Sequence, residues 1–161
     1  MHKANVILFV DDDTTVLTAL RTLASKMAGN NQIEIAESGI EALEIWQDIF
    51  EDGRTLGVVV SDFIMPGMRG DELLVRLHQK SPDTVKIMLT GQSDLSGVQR
   101  AINEAELYRF LEKPFNNADL AMTLISALEA FNRKRETEAL VRSLRQEIVE
   151  LKKEVQSLWK R

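Results

Sequence analysis

The chain contains no cysteine. Disulfides, thiolate metal centres, iron–sulfur clusters and cysteine nucleophiles are therefore excluded together. Histidine is almost missing as well: His2 and His78 are the only two, too few for a histidine-rich zinc site. The longest apolar runs, such as Val6–Val10, are far below the ~18 residues a membrane span needs. The N-terminal Met-His-Lys is followed by a short apolar run and then acid, not by the ~7–15 apolar residues of a signal peptide. The expectation is a soluble, cytoplasmic protein with no membrane partner. There is no glycine-rich phosphate loop of the Walker or dinucleotide type, so nucleotide binding lacks support.

What is present is ordinary globular material. The 161 residues are 44% hydrophobic and 28% charged, enough for one domain with a single core and some length to spare. The net charge of −5 is unevenly spread: residues 132–161 hold nine Lys/Arg against five Glu, while residues 1–131 hold eleven against twenty Asp/Glu. An acidic body followed by a basic element of a different kind is the natural division. The acidic body argues against nucleic-acid binding through this chain.

Short apolar runs alternate with amphipathic stretches. Val6–Val10, Gln32–Glu37, Gly57–Ser61, Val85–Leu89 and Leu107–Leu111 read as strands. Thr14–Ala28, the stretch from Gly39 to near Gly53, that around Leu73, Leu74 and Leu77, Leu95–Ala105, and the chain from Asn117 onward read as helices. Ser38 and Glu41 have the spacing of a capping box. Five strand–helix pairs in regular order predict parallel βαβ units and a doubly wound five-stranded α/β sheet. Strands one, three and four are nearly all apolar, as central strands covered on both faces should be.

In such sheets ligands bind outside the carboxyl ends of the strands. Those ends carry Asp11-Asp12-Asp13, Ser61-Asp62, Thr90-Gly91 and Lys113-Pro114. Any one taken alone usually marks only a turn or a cap; all of them on one rim make a site. Crowded carboxylates repel one another unless a cation joins them. Hard oxygen ligands without histidine or cysteine select Mg²⁺, with Mn²⁺ as the substitute. Asp11, Asp12 and Asp62 against a divalent cation and the Lys113 ammonium form a site suited to a phosphoryl group, whose oxygens Lys113 and the Thr90 hydroxyl can hold. His78, mid-helix beside Leu77 and Gln79, reads as an exposed helix histidine.

The runs VILFVDDD, VVVSDFIMPGMRG, IMLTG and FLEKPF, in this order and spacing over about residues 4–130, resemble those of the response-regulator receiver domain of two-component signalling. The resemblance implies a flavodoxin-like sheet of strand order 2-1-3-4-5. It implies Asp62 as the phosphoacceptor, taking its phosphoryl group from the phosphohistidine of a histidine kinase or phosphotransfer protein. Asp12 would hold Mg²⁺ directly and Asp11 largely through water, with Asp62 and the backbone carbonyl of Ile64 completing the protein ligands. Lys113 would pair with the phosphoryl group, and Thr90 would be the switch hydroxyl. Phe110, three residues before the lysine, would be the switch aromatic, where many members carry tyrosine. Asp13 would sit at the start of the first helix rather than on the metal. Such a chain is a signalling protein that catalyses only its own phosphorylation and dephosphorylation.

An enzyme reading competes. Asp11-Asp12-Asp13-Thr14-Thr15 also fits the D-x-D-x-T motif of haloacid-dehalogenase-type phosphatases, with Asp11 as nucleophile, Asp13 as general acid/base and Lys113 as the lysine. That family needs a further acidic pair on a strand after the lysine. Here only Asp119 follows, at a helix start, and Asp62 with its Met65-Pro66-Gly67 loop is left unexplained. A non-signalling flavodoxin-like binding module is the third reading, since fold alone does not fix function.

The tail has its own pattern. Val141, Leu144, Ile148, Leu151, Val155 and Leu158 recur at heptad spacing, β-branched at each a position and leucine at each d, the choice that favours parallel dimers. Glu147 at g would face Lys152 at e of the partner helix. Residues 132–138 contain no apolar side chain, so the helix is expected to cross solvent there. The division expected is a receiver over 1–131 and a coiled-coil extension or linker over 132–161, with a parallel homodimer through 139–161. Whether an effector domain follows Arg161 is left open by the sequence.

Overall fold

The structure is a computed structural model that describes residues 4–91 and 95–160. The elements, in chain order, are β1 (Val6–Val10), α1 (Thr14–Ser25), β2 (Gln32–Ala36), α2 (Gly39–Glu51), β3 (Leu56–Asp62), α3 (Gly70–Lys80), β4 (Val85–Thr90), α4 (Leu95–Ala105), β5 (Arg109–Glu112) and α5 (Asn117–Trp159). The five strands form one parallel sheet in the order β2-β1-β3-β4-β5, the flavodoxin-like arrangement expected from the resemblance. By compactness the chain divides into residues up to Phe131 and residues from Asn132.

The sheet carries a core on each face because successive strand residues point to opposite sides. Val6, Leu8, Val10, Val59 and Met88 pack with α2, α3 and α4. Ile7, Phe9, Val58, Val60, Ile87 and Leu89 pack with α1 and the first part of α5. Burial on both faces explains why β1, β3 and β4 read as nearly continuous apolar runs rather than as alternating ones. The edge strand β5 is short and largely exposed, and it starts at Arg109 rather than at Leu107 as the apolar pattern suggests. Leu107 instead packs against the α2–α4 core. The first helix likewise stops at Ser25, short of the Ala28 that its apolar spacing suggests.

Two local expectations are refined. The Ser38 hydroxyl accepts from the Glu41 N–H at 3.1 Å, as a capping box requires, but the Glu41 carboxylate reaches the N–H of Glu37 rather than that of Ser38. His78 is half-buried, not exposed. Its Nδ1 lies 2.8 Å from the ammonium of Lys86, a β4 residue only 2% exposed, which also donates to the Pro82 carbonyl at 3.2 Å. A lysine inside the run VKIML must find acceptors for its buried ammonium. Helix α3 brings His78 over the strand to supply one.

Candidate functional site

Register places the site. Val10 of β1 is paired with Ser61 of β3, so the next residues, Asp11 and Asp62, emerge side by side. Asp62 is paired with Leu89, and Thr90 with Glu112, so Thr90 and Lys113 follow on the same rim. The Lys113 N–H donates to the Thr90 carbonyl at 2.8 Å, and the Lys113–Pro114 peptide is cis.

The side chains converge. Carboxylate oxygens of Asp11, Asp12 and Asp62 lie within 4.8 Å of one another. The Lys113 ammonium bridges two of them, 3.0 Å from Asp11 Oδ2 and 3.1 Å from Asp62 Oδ1. Asp11 is buried, Asp62 half-buried and Asp12 exposed, so the cluster opens to solvent through Asp12. The second Asp11 oxygen accepts from the Asp13 N–H at 2.9 Å. Burial, then the neighbouring Asp11 charge, pushes the Asp62 carboxyl above its ordinary value, against the pull of Lys113. Burial works to lower Lys113, but its hydrogen bonds and charge pairing with Asp11 and Asp62 outweigh it and hold the ammonium above the usual lysine range.

These observations test whether a divalent cation fits. Among the described residues three carboxylates face one ammonium, and the Asp11 charge adds to burial in raising Asp62. Every side-chain ligand atom that converges there among the described residues is a hard oxygen, which suits Mg²⁺ or Mn²⁺. The residues fit.

Asp13 stands apart from the cluster. Its Oδ1 accepts from the Thr15 N–H at 2.9 Å and caps α1, which is the helix-start role expected for it. The phosphatase reading needs that carboxylate for acid–base work and an acidic strand after Lys113; the element that follows Lys113 is α5. Thr90 is buried at the end of β4, Phe110 is exposed on β5, and Ile64 is exposed in the loop after Asp62.

The loop that presents Asp62 is shaped by two glycines. Gly67, after Pro66, has φ +83°, where a side chain would be strained. Gly70 opens α3, donates to the Phe63 carbonyl at 2.8 Å, and presses on Asp62: an added Cβ would lie 2.0 Å from the Asp62 carbonyl oxygen. That neighbour is backbone and cannot swing away. Gly70→Ala is therefore expected to destabilise the domain by roughly 2–4 kcal/mol, seen as a fall of many degrees in thermal melting. A melt unchanged from the parent would mean that the loop relaxes freely.

Sequence reasoning missed Asp71 and Arg100. Asp71, in the first turn of α3, is fully buried and ion-paired to Arg69 at 2.7 Å and to Arg100 of α4 at 3.5 Å. An acid just after a loop glycine looks like a helix-start residue, and the Arg100 partner lies twenty-nine positions away. The signal in the sequence was weak: an acid placed next to the leucines that face the core.

Comparison with known proteins places the family and the fold. The family model described as the response regulator receiver domain matches residues 7–125. The sensor kinase CckA of Brucella abortus is 34% identical over 127 residues, 79% of this chain but 13% of its own length. The transcriptional regulatory protein FixJ of Bradyrhizobium diazoefficiens is 31% identical over 90% of this chain and 67% of its own. Among solved structures, the signal receiver domain of an HD domain-containing protein from Pseudomonas fluorescens superposes with a TM-score of 0.75 at 34% identity, covering 84% of this chain and 95% of that one. The chain spans only 13–25% of the length of three curated relatives that it matches.

Proposed function

The chain belongs to the response regulator receiver domain family, and we propose that it accepts a phosphoryl group on Asp62 from the phosphohistidine of a histidine kinase or phosphotransfer protein. The observation that carries this reading is the convergence of the Asp11, Asp12 and Asp62 carboxylates with Lys113 bridging Asp11 and Asp62. An Asp62 oxygen attacks phosphorus. The P–N bond breaks, its electron pair stays on the imidazole, and an acyl phosphate forms. Lys113, already 3.1 Å from Asp62, is positioned to pair with the new phosphoryl oxygens. Asp11, Asp12, Asp62 and the Ile64 carbonyl would hold Mg²⁺. When bound, that ion offsets the charge gathered on the phosphoryl oxygens.

The output is a shift of the face formed by α4, β5 and α5. The Thr90 hydroxyl moves to the phosphoryl group, and Phe110, exposed before the event, takes the vacated space. The phosphoryl contacts supply the difference in stability between the two states. The tail over 139–161 pairs with a second copy in parallel, and the chain works in the cytoplasm, where its phosphodonor acts. Its chemistry is limited to its own phosphorylation and dephosphorylation.

The test is the site of the label. Incubation with acetyl phosphate and Mg²⁺, borohydride trapping and peptide mass spectrometry should place the modification on Asp62. A label on Asp11 with none on Asp62 would return the phosphatase reading and sink this one.

A further inference from the structure

The buried carboxylate of Asp71 serves none of the steps above, yet it lies between the acceptor loop and α4. Arg69 grips it as a fork, Nε to Oδ1 at 3.1 Å and Nη2 to Oδ2 at 2.7 Å. Arg100, on α4, also reaches Oδ2, at 3.5 Å, while holding Glu104 at 2.8 Å. The Arg69 guanidinium also lies 5.1 Å from the centroid of the Phe63 ring. Phe63 directly follows Asp62. Its N–H donates to the Asp62 carboxylate at 2.9 Å and to the Leu89 carbonyl at 3.0 Å. Its ring presses on Gly97 of α4, where an added Cβ would lie 1.9 Å from Cε2. The acceptor backbone is thus joined to α4 twice: by the ring against Gly97, and by the Arg69–Asp71–Arg100 chain.

The two links of that chain differ in strength. The Arg69 fork lies within one segment and is short. The Arg100 contact is single, long and shared with Glu104, so it is the joint that parts first when α4 moves. We propose that the Asp71–Arg100 pair is a latch that holds α4 against Phe63 in the unmodified chain and must open for α4 to shift when Asp62 is phosphorylated. Arg100 is a positioning residue: it touches no reacting atom and sets how easily the switch is thrown. The proposal rests on Asp62 being the acceptor. It goes further by assigning the resistance to the switch to one ion pair.

Linkage fixes the sign. A contact made only in the unmodified state, once removed, favours the other state and tightens any ligand that selects it. The experiment titrates the full chain, in Mg²⁺, with beryllofluoride as the phosphoryl mimic, and follows the backbone amide signals of Gly97 and Ala101. Arg100→Gln should bind the mimic roughly 3–10-fold more tightly than the parent, and Arg100→Lys, which keeps the charge, should fall close to the parent. Asp71→Asn should change affinity in the same direction as Arg100→Gln, though it leaves Arg69 without its partner and is expected to melt lower. An Arg100→Gln affinity equal to the parent's would make the pair structural only. A weaker affinity would place the pair in the phosphorylated state. Either result overturns the latch. A parent chain that shows no response to the mimic removes the acceptor reading, and the latch with it; a responsive parent with unshifted variants removes the latch alone.

Discussion

Asp62→Asn is expected to abolish phosphorylation by acetyl phosphate and, in metal-free buffer at neutral pH, to raise the melting temperature. The two effects share one cause. Burial and the adjacent Asp11 charge raise the Asp62 carboxyl in the folded chain, so its ionised form is disfavoured there. Such a group contributes stability that is fully present below the ordinary carboxylate value and is lost as pH rises through the raised folded value. At pH 7 the parent therefore carries the whole penalty. The asparagine variant escapes it, while Lys113 keeps Asp11 at 3.0 Å. Removing one charge from the three crowded carboxylates should therefore raise the melting temperature by a few degrees. The gain should vanish below about pH 4, where the parent carboxyl is neutral as well. Adding Mg²⁺ should reverse the order: saturating ion stabilises the parent by mass action, and the variant, short of one ligand, responds less. The checks are calorimetric melts with and without Mg²⁺ and a phosphorylation assay on the same preparations. A variant that melts below the parent in metal-free buffer would show that the Lys113 pairing outweighs burial and the Asp11 charge.

Leu151→Asp should abolish the proposed pairing of the tail and leave monomers at micromolar concentration. Val141, Leu144, Ile148, Leu151, Val155 and Leu158 all lie exposed along the helical tail, and Ile148, Leu151, Lys152, Val155 and Gln156 line an apolar groove on it. Large apolar side chains in one stripe on an exposed helix mark a surface that a partner covers. An aspartate at the d position would put two unpaired carboxylates into that seam. The cost is about 3 kcal/mol, roughly a 100-fold weaker association. Gln146→Asp adds the same charge at the outer f position and should leave pairing intact. Light scattering on these three chains and on one ending at Phe131, with and without beryllofluoride, reads both the pairing and its dependence on the switch. If Leu151→Asp and a chain ending at Phe131 both remain dimeric, the receiver makes the dimer and the tail only tethers.

Much of this molecule is legible in its sequence, because the signals are local. An apolar run of strand length, a polar rim residue at its end and an amphipathic stretch after it are properties of adjacent residues. Five such units leave little choice but a doubly wound parallel sheet, and parallel strands put their carboxyl ends on one edge. Asp11, Asp12, Asp62, Thr90 and Lys113 could therefore be gathered on paper, although 102 positions separate Asp11 from Lys113. The heptad spacing of the tail is legible for the same reason, since a period along the chain needs no tertiary knowledge.

Tertiary structure decided whatever depends on which side chains meet across elements. It gave Lys86 the imidazole of His78 as a partner, because a buried ammonium must be solvated by whatever lies over it. It turned Asp71 from an ordinary helix-start acid into a buried centre shared by Arg69 and Arg100, because α3 and α4 pack side by side over Phe63. It raised Asp62 and held Lys113 charged, effects of burial and of distances of about 3 Å that no spacing along a chain encodes. The sequence by itself determined the fold and which strand ends meet on one rim. The packing alone determined its electrostatics and its connection to α4, because charges and contacts act through space while sequence patterns report only on neighbours along the chain.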